Sequence, residues 1–339
     1  KYRVPRIAFV NKMDRIGADF NAAVEDIRSK LGANAVPILI PIGAEDQLKG
    51  QIDVVNRKAI LYSDDDVLGS TYTIQELDAA QQELADAAHK YLLEALADAD
   101  EEVGMMFLEE QPIGAAEIKA GLRRATIANK IVPVAGGSAF KNKGVQYTLD
   151  AVVDYLPSPL DIPAAQGVLP DDPSVEVSTP TDDSAPFCAL AFKLWSDKFG
   201  KFVFFRVYSG TISKGDTIYN PRTGARERVG RLIQVQSDQQ TDIDTCHAGD
   251  IAAMFGVRNV ATGDTLCDPK LDIMLEPPSF PEPVISMSIE PKTTADQEKL
   301  GSALQRLGAE DPTFVVRTDE ASGLSIILGM GELHLEFVR

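Results

Sequence analysis

Ile7-Ala8-Phe9-Val10-Asn11-Lys12-Met13-Asp14 is the stretch on which the fold turns. Its first four residues are continuously apolar, as in a buried strand. The polar tetrapeptide Asn11 to Asp14 falls where that strand ends. In an open α/β sheet, ligands sit outside the carboxyl ends of the strands, so the cluster lies on the expected binding edge. Residues 131–135 (Ile-Val-Pro-Val-Ala) read as a second buried strand, followed by Gly136-Gly137-Ser138-Ala139-Phe140-Lys141. Glycines at that point let the backbone turn close to a ligand. Two polar loops, each after a buried strand, belong on the same edge of one sheet.

The first loop has the Asn-Lys-x-Asp pattern and resembles the guanine-reading loop of GTP-binding proteins. A carboxylate at Asp14 can accept both the N1–H and the N2 amino protons of guanine. Adenine offers a bare acceptor at N1 and no 2-amino group, and a site built on such bonds rejects it by roughly 10⁴-fold or more. The Lys12 stem can lie along the purine face, the Asn11 amide can bridge base and neighbouring loops, and Met13 is a spacer. In GTP-binding proteins a Ser-Ala loop in the second position donates a backbone N–H, here that of Ala139, to guanine O6. The candidate base-binding set is therefore Asn11, Lys12, Met13, Asp14, Ser138 and Ala139, with GTP or GDP as the ligand. No Gly-x-x-x-x-Gly-Lys-Ser/Thr phosphate loop occurs in the 339 residues. Gly200-Lys201 comes nearest, but Trp195 stands where the first glycine belongs and Phe202 where the hydroxyl belongs. Hence no catalytic residue and no metal ligand is expected in this chain, and Mg²⁺ is expected only through a separate phosphate-gripping half.

At 339 residues and 44% hydrophobic, the chain has material for two or three domains with real cores. Cys188, Cys246 and Cys267 stand far apart in sequence with no Cys-x-x-Cys pair, which argues against a disulfide scaffold or zinc knuckle. No apolar run approaches a membrane span and no signal peptide opens the chain, so a cytoplasmic protein is expected. The net charge of −18 speaks against nucleic acid at first sight, but it is unevenly spread. Residues 186–270 hold 11 Lys/Arg against 9 Asp/Glu, so the acidic excess lies elsewhere.

Along the chain, residues 1–43 read as strand, helix, strand, the helix carrying a Phe20, Val24, Ile27, Leu31 stripe. Residues 44–130 separate the two polar loops. They hold a hairpin from Gln51 to Leu61, a helix expected to start at Thr73 with Glu76 completing a capping box, and another from Ala115 to Ala128. Residues 131–156 return to the sheet and end in a helix closed by Pro157-Ser158-Pro159. The stretch 161–184, rich in Pro, Asp, Ser and Thr, reads as a linker or mobile loop. Short strands between glycine-containing turns then fill 185–275, the pattern of an all-β barrel. From 280 the order strand, helix (capped by Thr294 and Gln297), strand, strand, helix is that of a ferredoxin-like unit lacking its last strand.

Six runs make the resemblance specific: Pro5 to Phe20, Gly137 to Gln146, Ala248 to Ala253, Thr262 to Pro269, Phe280 to Ser286, and Gly329 to Leu335 (GMGELHL). On these, the chain resembles an internal fragment of the bacterial elongation factor G family of translational GTPases. The resemblance implies a multidomain α/β plus all-β plus α+β protein. Residues 1–160 would be the carboxyl-terminal part of the G domain, a partial P-loop-GTPase-type sheet with 44–130 as the inserted G′ subdomain. Residues 185–275 would be the domain II β-barrel, and 280–339 a truncated ferredoxin-like domain III. It further implies a ribosome-dependent GTPase that promotes translocation of tRNA and mRNA, acting as a monomer without a membrane. This chain would hold the base-reading loops while the phosphate loop and switches lie before Lys1, and it would be inactive alone. The alternatives are a non-enzymatic ribosome- or nucleotide-binding module and a ribosome-protection or release-factor-3-type relative. His89, His247 and His334 are expected to be structural. Lys193, Lys198, Lys201, Arg206, Lys214, Arg222, Arg226, Arg228 and Arg231, concentrated in the barrel, are the candidates for rRNA phosphates.

Overall fold

The computed structural model describes residues 3–63, 66, 69–197, 200–291, 293, 296–319 and 323–338. Thr294 and Lys198 lie outside them. The chain divides into two compact units, Lys1–Ser158 and Pro159–Arg339.

The first unit is one six-stranded sheet with helices. Its elements are β1 (Ala8–Val10), α1 (Phe20–Leu31), β2 (Ala35–Ile42), β3 (Gly50–Asp53), β4 (Lys58–Tyr62), β5 (Tyr72–Gln75), α2 (Ala79–Ala99), α3 (Glu101–Leu108), α4 (Ala115–Ile127), β6 (Val132–Gly136) and α5 (Val145–Tyr155). The strand order is β1-β6-β2-β3-β4-β5. β1 and β2 both run parallel to β6, whereas β3, β4 and β5 continue the sheet antiparallel. The segment between the two polar loops therefore extends the sheet as well as separating them in sequence. β6 is buried throughout, as expected, but β1 is only half-buried because it forms the sheet's edge.

Local chemistry explains the boundaries. Asp19 accepts the Ala22 N–H at 2.9 Å to start α1, and Gly32, at φ +61°, ends it. The apolar stripe of α1 stops short of expectation: Phe20 and Val24 are buried, whereas Leu31 is exposed. The helix expected at Thr73 starts at Ala79, because Asp78 and Gln81 form the capping box that Thr73 and Glu76 do not. Tyr72–Gln75, with β-branched Thr73 and Ile74, instead pairs as a strand with β4. One face of the sheet packs Val36, Ile60, Leu92, Leu96, Ile118 and Leu122. A second cluster gathers Met13, Phe20, Val24, Ala35, Leu48 and Val134. Each large apolar side chain among these contributes about 1.5–3 kcal/mol by leaving water.

The second unit begins with β7 (Ala165–Val168) and β8 (Glu176–Thr179). The expected linker at 161–184 thus contains a hairpin, β7 pairing with β8 across a turn rich in Pro and Asp. Period-two alternation over only four residues per strand is too short to stand out in such a composition. There follow β9 (Cys188–Asp197), β10 (Gly200–Ser209), β11 (Ile212–Ser213), β12 (Thr217–Asn220), β13 (Ala225–Arg228), β14 (Arg231–Gln236), β15 (Gln239–Ile243), β16 (Thr245–Cys246), β17 (Ile251–Phe255), β18 (Thr265–Cys267) and β19 (Met274–Leu275), which joins β7. Eight of these form a sheet in the order β13-β12-β18-β9-β10-β17-β14-β15. β13 and β14 are separated only by Val229 and Gly230. At that point the chain changes partners: Val229 bonds to Gly215 and Asp216, and Gly230 to Phe255. The sheet must therefore curl back on itself around a core of Phe205, Val207, Ile218, Leu232 and Met254.

Cys188 and Cys267, remote in sequence, are register partners on β9 and β18. Both are free and buried, and burial pushes each thiol up to about 12. The last elements are β20 (Ile285–Ile289), α6 (Gln297–Glu310), β21 (Val315–Thr318), β22 (Ser325–Gly329) and α7 (Glu332–Val338). Their sheet order is β20-β22-β21, with Leu304, Phe314, Ile327 and Leu335 at the core. Asp296, which precedes α6, makes no side-chain capping bond.

Candidate functional site

β1 and β6 are parallel neighbours, so the loops that follow them emerge side by side. Backbone bonds fasten the two: Gly137 N–H donates to Val10 O at 3.0 Å, and Met13 N–H donates to Gly137 O at 3.0 Å. Met13 drops its side chain into the apolar cluster with Phe20 and Val24, a role beyond that of a spacer. Lys12 sits at φ +64°, a left-handed conformation that costs a non-glycine residue about 1 kcal/mol and leaves Lys12 and Asn11 facing solvent.

The Asn11 side-chain oxygen accepts two N–H groups, that of Lys12 at 2.7 Å and that of Ala139 at 2.9 Å. Asn11 thus bridges the loops. The Ala139 N–H, expected to be available for a purine O6, is already engaged. A base oxygen at this edge would share it in a three-centre bond or displace the Asn11 oxygen.

Asp14 has a nearly buried side chain, 7% exposed. Burial alone would raise its pKa. The Ser138 hydroxyl, its own backbone N–H, and the Lys141 and Arg15 charges outweigh that and hold the carboxyl below the usual carboxylate range. Asp14 is therefore an ionised acceptor at neutral pH, aimed by a fully buried Ser138. Sequence reasoning missed Lys141 and Arg15, although each lies within a few positions of a motif and its charge is the signal that could have marked it. The 138–143 loop is closed by paired Ser138–Lys143 backbone bonds, both 2.9 Å. A side chain at Gly137 would run into Lys143 O, so only glycine fits there. Ala139 and Phe140 are exposed at the rim.

The edge thus sets an ionised carboxylate, an N–H shared with Asn11 and an exposed lysine stem on neighbouring loops. Among the described residues no group of three or more His, Cys, Asp or Glu is placed to hold a metal ion. Among them, too, no helix is long and apolar enough to cross a membrane. The histidines have structural partners: His89 Nδ1 lies 2.9 Å from Val54 O, His247 meets Asp183, and His334 meets Asp311.

The basic residues of the second unit are less available than their number implies. Arg222 is paired to Asp264 and Arg231 to Asp242, while Lys201 donates to Val260 O and Arg228 to Gly215 O. Lys193, Lys214 and Arg226 remain exposed and without an ion pair among the described residues.

Comparison with known proteins bears on the whole chain. Residues 1–158 match the elongation factor Tu GTP binding domain, 200–267 elongation factor Tu domain 2, and 280–339 elongation factor G domain III. A protein from Thermus thermophilus, solved by crystallography, is similar with a TM-score of 0.81 and 25% identity, over 98% of this chain and 47% of that one. The chain thus spans about half the length of that relative. Taken in order along the sequence, the three matches make stretches of this chain similar to elongation-factor domains: a GTP-binding domain, a domain 2 and a domain III.

Proposed function

We propose that this chain is part of a ribosome-dependent GTPase of the elongation factor G type, which drives translocation of tRNA and mRNA in the cytoplasm, and that Asn11, Lys12, Asp14, Ser138 and Ala139 read its guanine base. One observation carries the reading: adjacent parallel strands bring the Asn11–Asp14 and Ser138–Ala139 loops together, with Asp14 ionised and Asn11 joining them. A domain III match at 280–339, in place of a further elongation factor Tu domain, favours the elongation factor G type.

In this reading the residues divide the work simply. Asp14 accepts from guanine N1 and N2, Ser138 aims Asp14, and Lys12 covers a face of the base. When bound, Mg²⁺ would neutralise charge on the phosphates, and other parts of the whole protein would grip both. Exposed Lys193, Lys214 and Arg226 would meet rRNA phosphates.

Titration of a fluorescent GDP analogue, competed with GDP and then ADP, tests the reading. Displacement by GDP and not ADP is the expected result. With base contacts alone, affinity should be roughly millimolar. Equal displacement by ADP would overturn the base assignment. For the protein that contains this chain, GTP hydrolysis that ribosomes fail to accelerate would overturn the wider one.

A further inference from the structure

The base-reading edge is held from the far side of its own sheet. Glu45 N–H donates to Met13 O at 2.8 Å, and the Glu45 carboxylate accepts the Gly17 N–H at 2.8 Å, tying down the first loop and the turn that follows it. Lys143, which closes the second loop, donates from its ammonium to Leu48 O at 2.8 Å. Immediately after that loop stands Gly144, at φ +90°, which begins α5 without a side-chain cap of its own. Its N–H donates to the Tyr62 hydroxyl at 2.8 Å. A helix N-terminus has orphan N–H groups that need acceptors. At this junction an acceptor comes from β4, three strands away from β6.

Tyr62 is 6% exposed, and its ring packs tilted against Tyr72, which in turn meets Tyr147 edge-on, both pairs 5.7 Å between centroids. Its hydroxyl also contacts the Gln146 carboxamide oxygen at 3.3 Å, and Gln146 donates to Gly69 O at 2.9 Å. Gln51 of β3, fully buried, packs so close to Gly144 that an added Cβ would lie 2.9 Å from its amide nitrogen. The junction therefore has little room to shift while the Tyr62 bond holds.

We infer that Tyr62 is a positioning residue for the base-reading edge, and that residues 44–62 act as a lever on guanine selectivity. The inference rests on the guanine reading above and deepens it. Anything that displaces β4 would withdraw the Gly144 acceptor, loosen the 138–143 loop, and move Ala139 and Ser138 relative to Asp14.

Tyr62→Phe removes the hydroxyl and keeps the ring. Competition of a fluorescent GDP analogue by GDP and by ADP, on the full protein, should show the GDP-to-ADP preference falling about tenfold, the scale of one buried hydrogen bond. Amide exchange at Gly144 should quicken in the same variant. A purely structural tyrosine would lower the melting temperature and leave the preference unchanged, and that result would overturn the inference. Should Tyr62→Phe fail to fold, Lys143→Met, which removes the donor to Leu48 O, must lower the preference in the same direction. No change there would also overturn it. A wild-type protein that fails to prefer GDP would instead defeat the guanine reading itself.

Discussion

The proposed base choice would rest on one carboxylate, that of Asp14, and a single substitution tests it. Asp14→Asn exchanges one acceptor for a donor while leaving Ser138 a partner. The expected outcome is loss of guanine preference and gain of xanthine, whose extra oxygen at C2 meets the new amide; retained GDP preference in nucleotide competition would show that Asp14 does not read the base. Lys12 offers a second check. Glycine adopts φ +64° without cost, so Lys12→Gly should raise stability to denaturant by up to about 1 kcal/mol while weakening guanine binding. Had the lysine no ligand role, binding would stay level or improve. These residues were legible in the sequence because their chemistry is local, four positions after one strand and a few after another. Tyr62, Glu45 and Lys143 were not. Their part depends on which strands become neighbours, and nothing in the residues around Tyr62 announces a bond to Gly144.

Among the elements, the α2–α3 corner shows how much rests on one side chain. Asp100 ends α2 and caps α3 through the Val103 N–H at 3.1 Å. It also accepts Arg124 of α4 through both oxygens, at 2.7 and 2.8 Å. The Arg124 guanidinium, chiefly, holds the Asp100 carboxyl below its ordinary value, with burial opposing. A depressed folded pKa stabilises the native state fully above the unfolded carboxylate value, about 3.9, and the benefit fades as pH falls through the folded value. Asp100→Asn should therefore cost about 2 kcal/mol at neutral pH and flatten the acid limb of the stability curve. Urea unfolding of wild type and variant between about pH 7 and 2 measures both; parallel curves would contradict it. Most helices and strands of the first unit followed from apolar period and caps, and two departures, one in each unit, are instructive. Thr73 to Glu76 matched a capping pattern, yet its β-branched neighbours paired with β4. The strands at 165–168 and 176–179 were hidden because four residues of alternation carry little signal beside a Pro- and Asp-rich turn.

For the molecule as a whole, the charge distribution sorts itself once ion pairs are drawn. Arg222 and Arg231 are spoken for by Asp264 and Asp242, so the number of arginines in the sequence overstates what a phosphate backbone could use. Replacing Lys214 and Arg226 with glutamine in the full protein should weaken ribosome association. Its salt dependence should also become shallower, by about one unit of slope for each phosphate no longer neutralised. The same change at Arg222 should mainly destabilise the second unit, since Asp264 would be left buried with one partner fewer. Association unchanged at several salt concentrations would remove Lys214 and Arg226 from any nucleic-acid surface.

The partner change at Val229 and Gly230 has a mechanical meaning of its own. On one side of these two residues the chain belongs to the β12 flank, and on the other to the β17 flank, so the covalent backbone is a hinge pin between them. Cleaving the backbone there through an introduced protease site would break no ladder, because β13 keeps β12 and β14 keeps β17. It would nevertheless let the two flanks melt separately. A nicked protein that still unfolds in one sharp step would mean that the ladder through β18, β9 and β10, with the packed core, holds the flanks together; a broadened, two-stage melt would mean that the peptide backbone does.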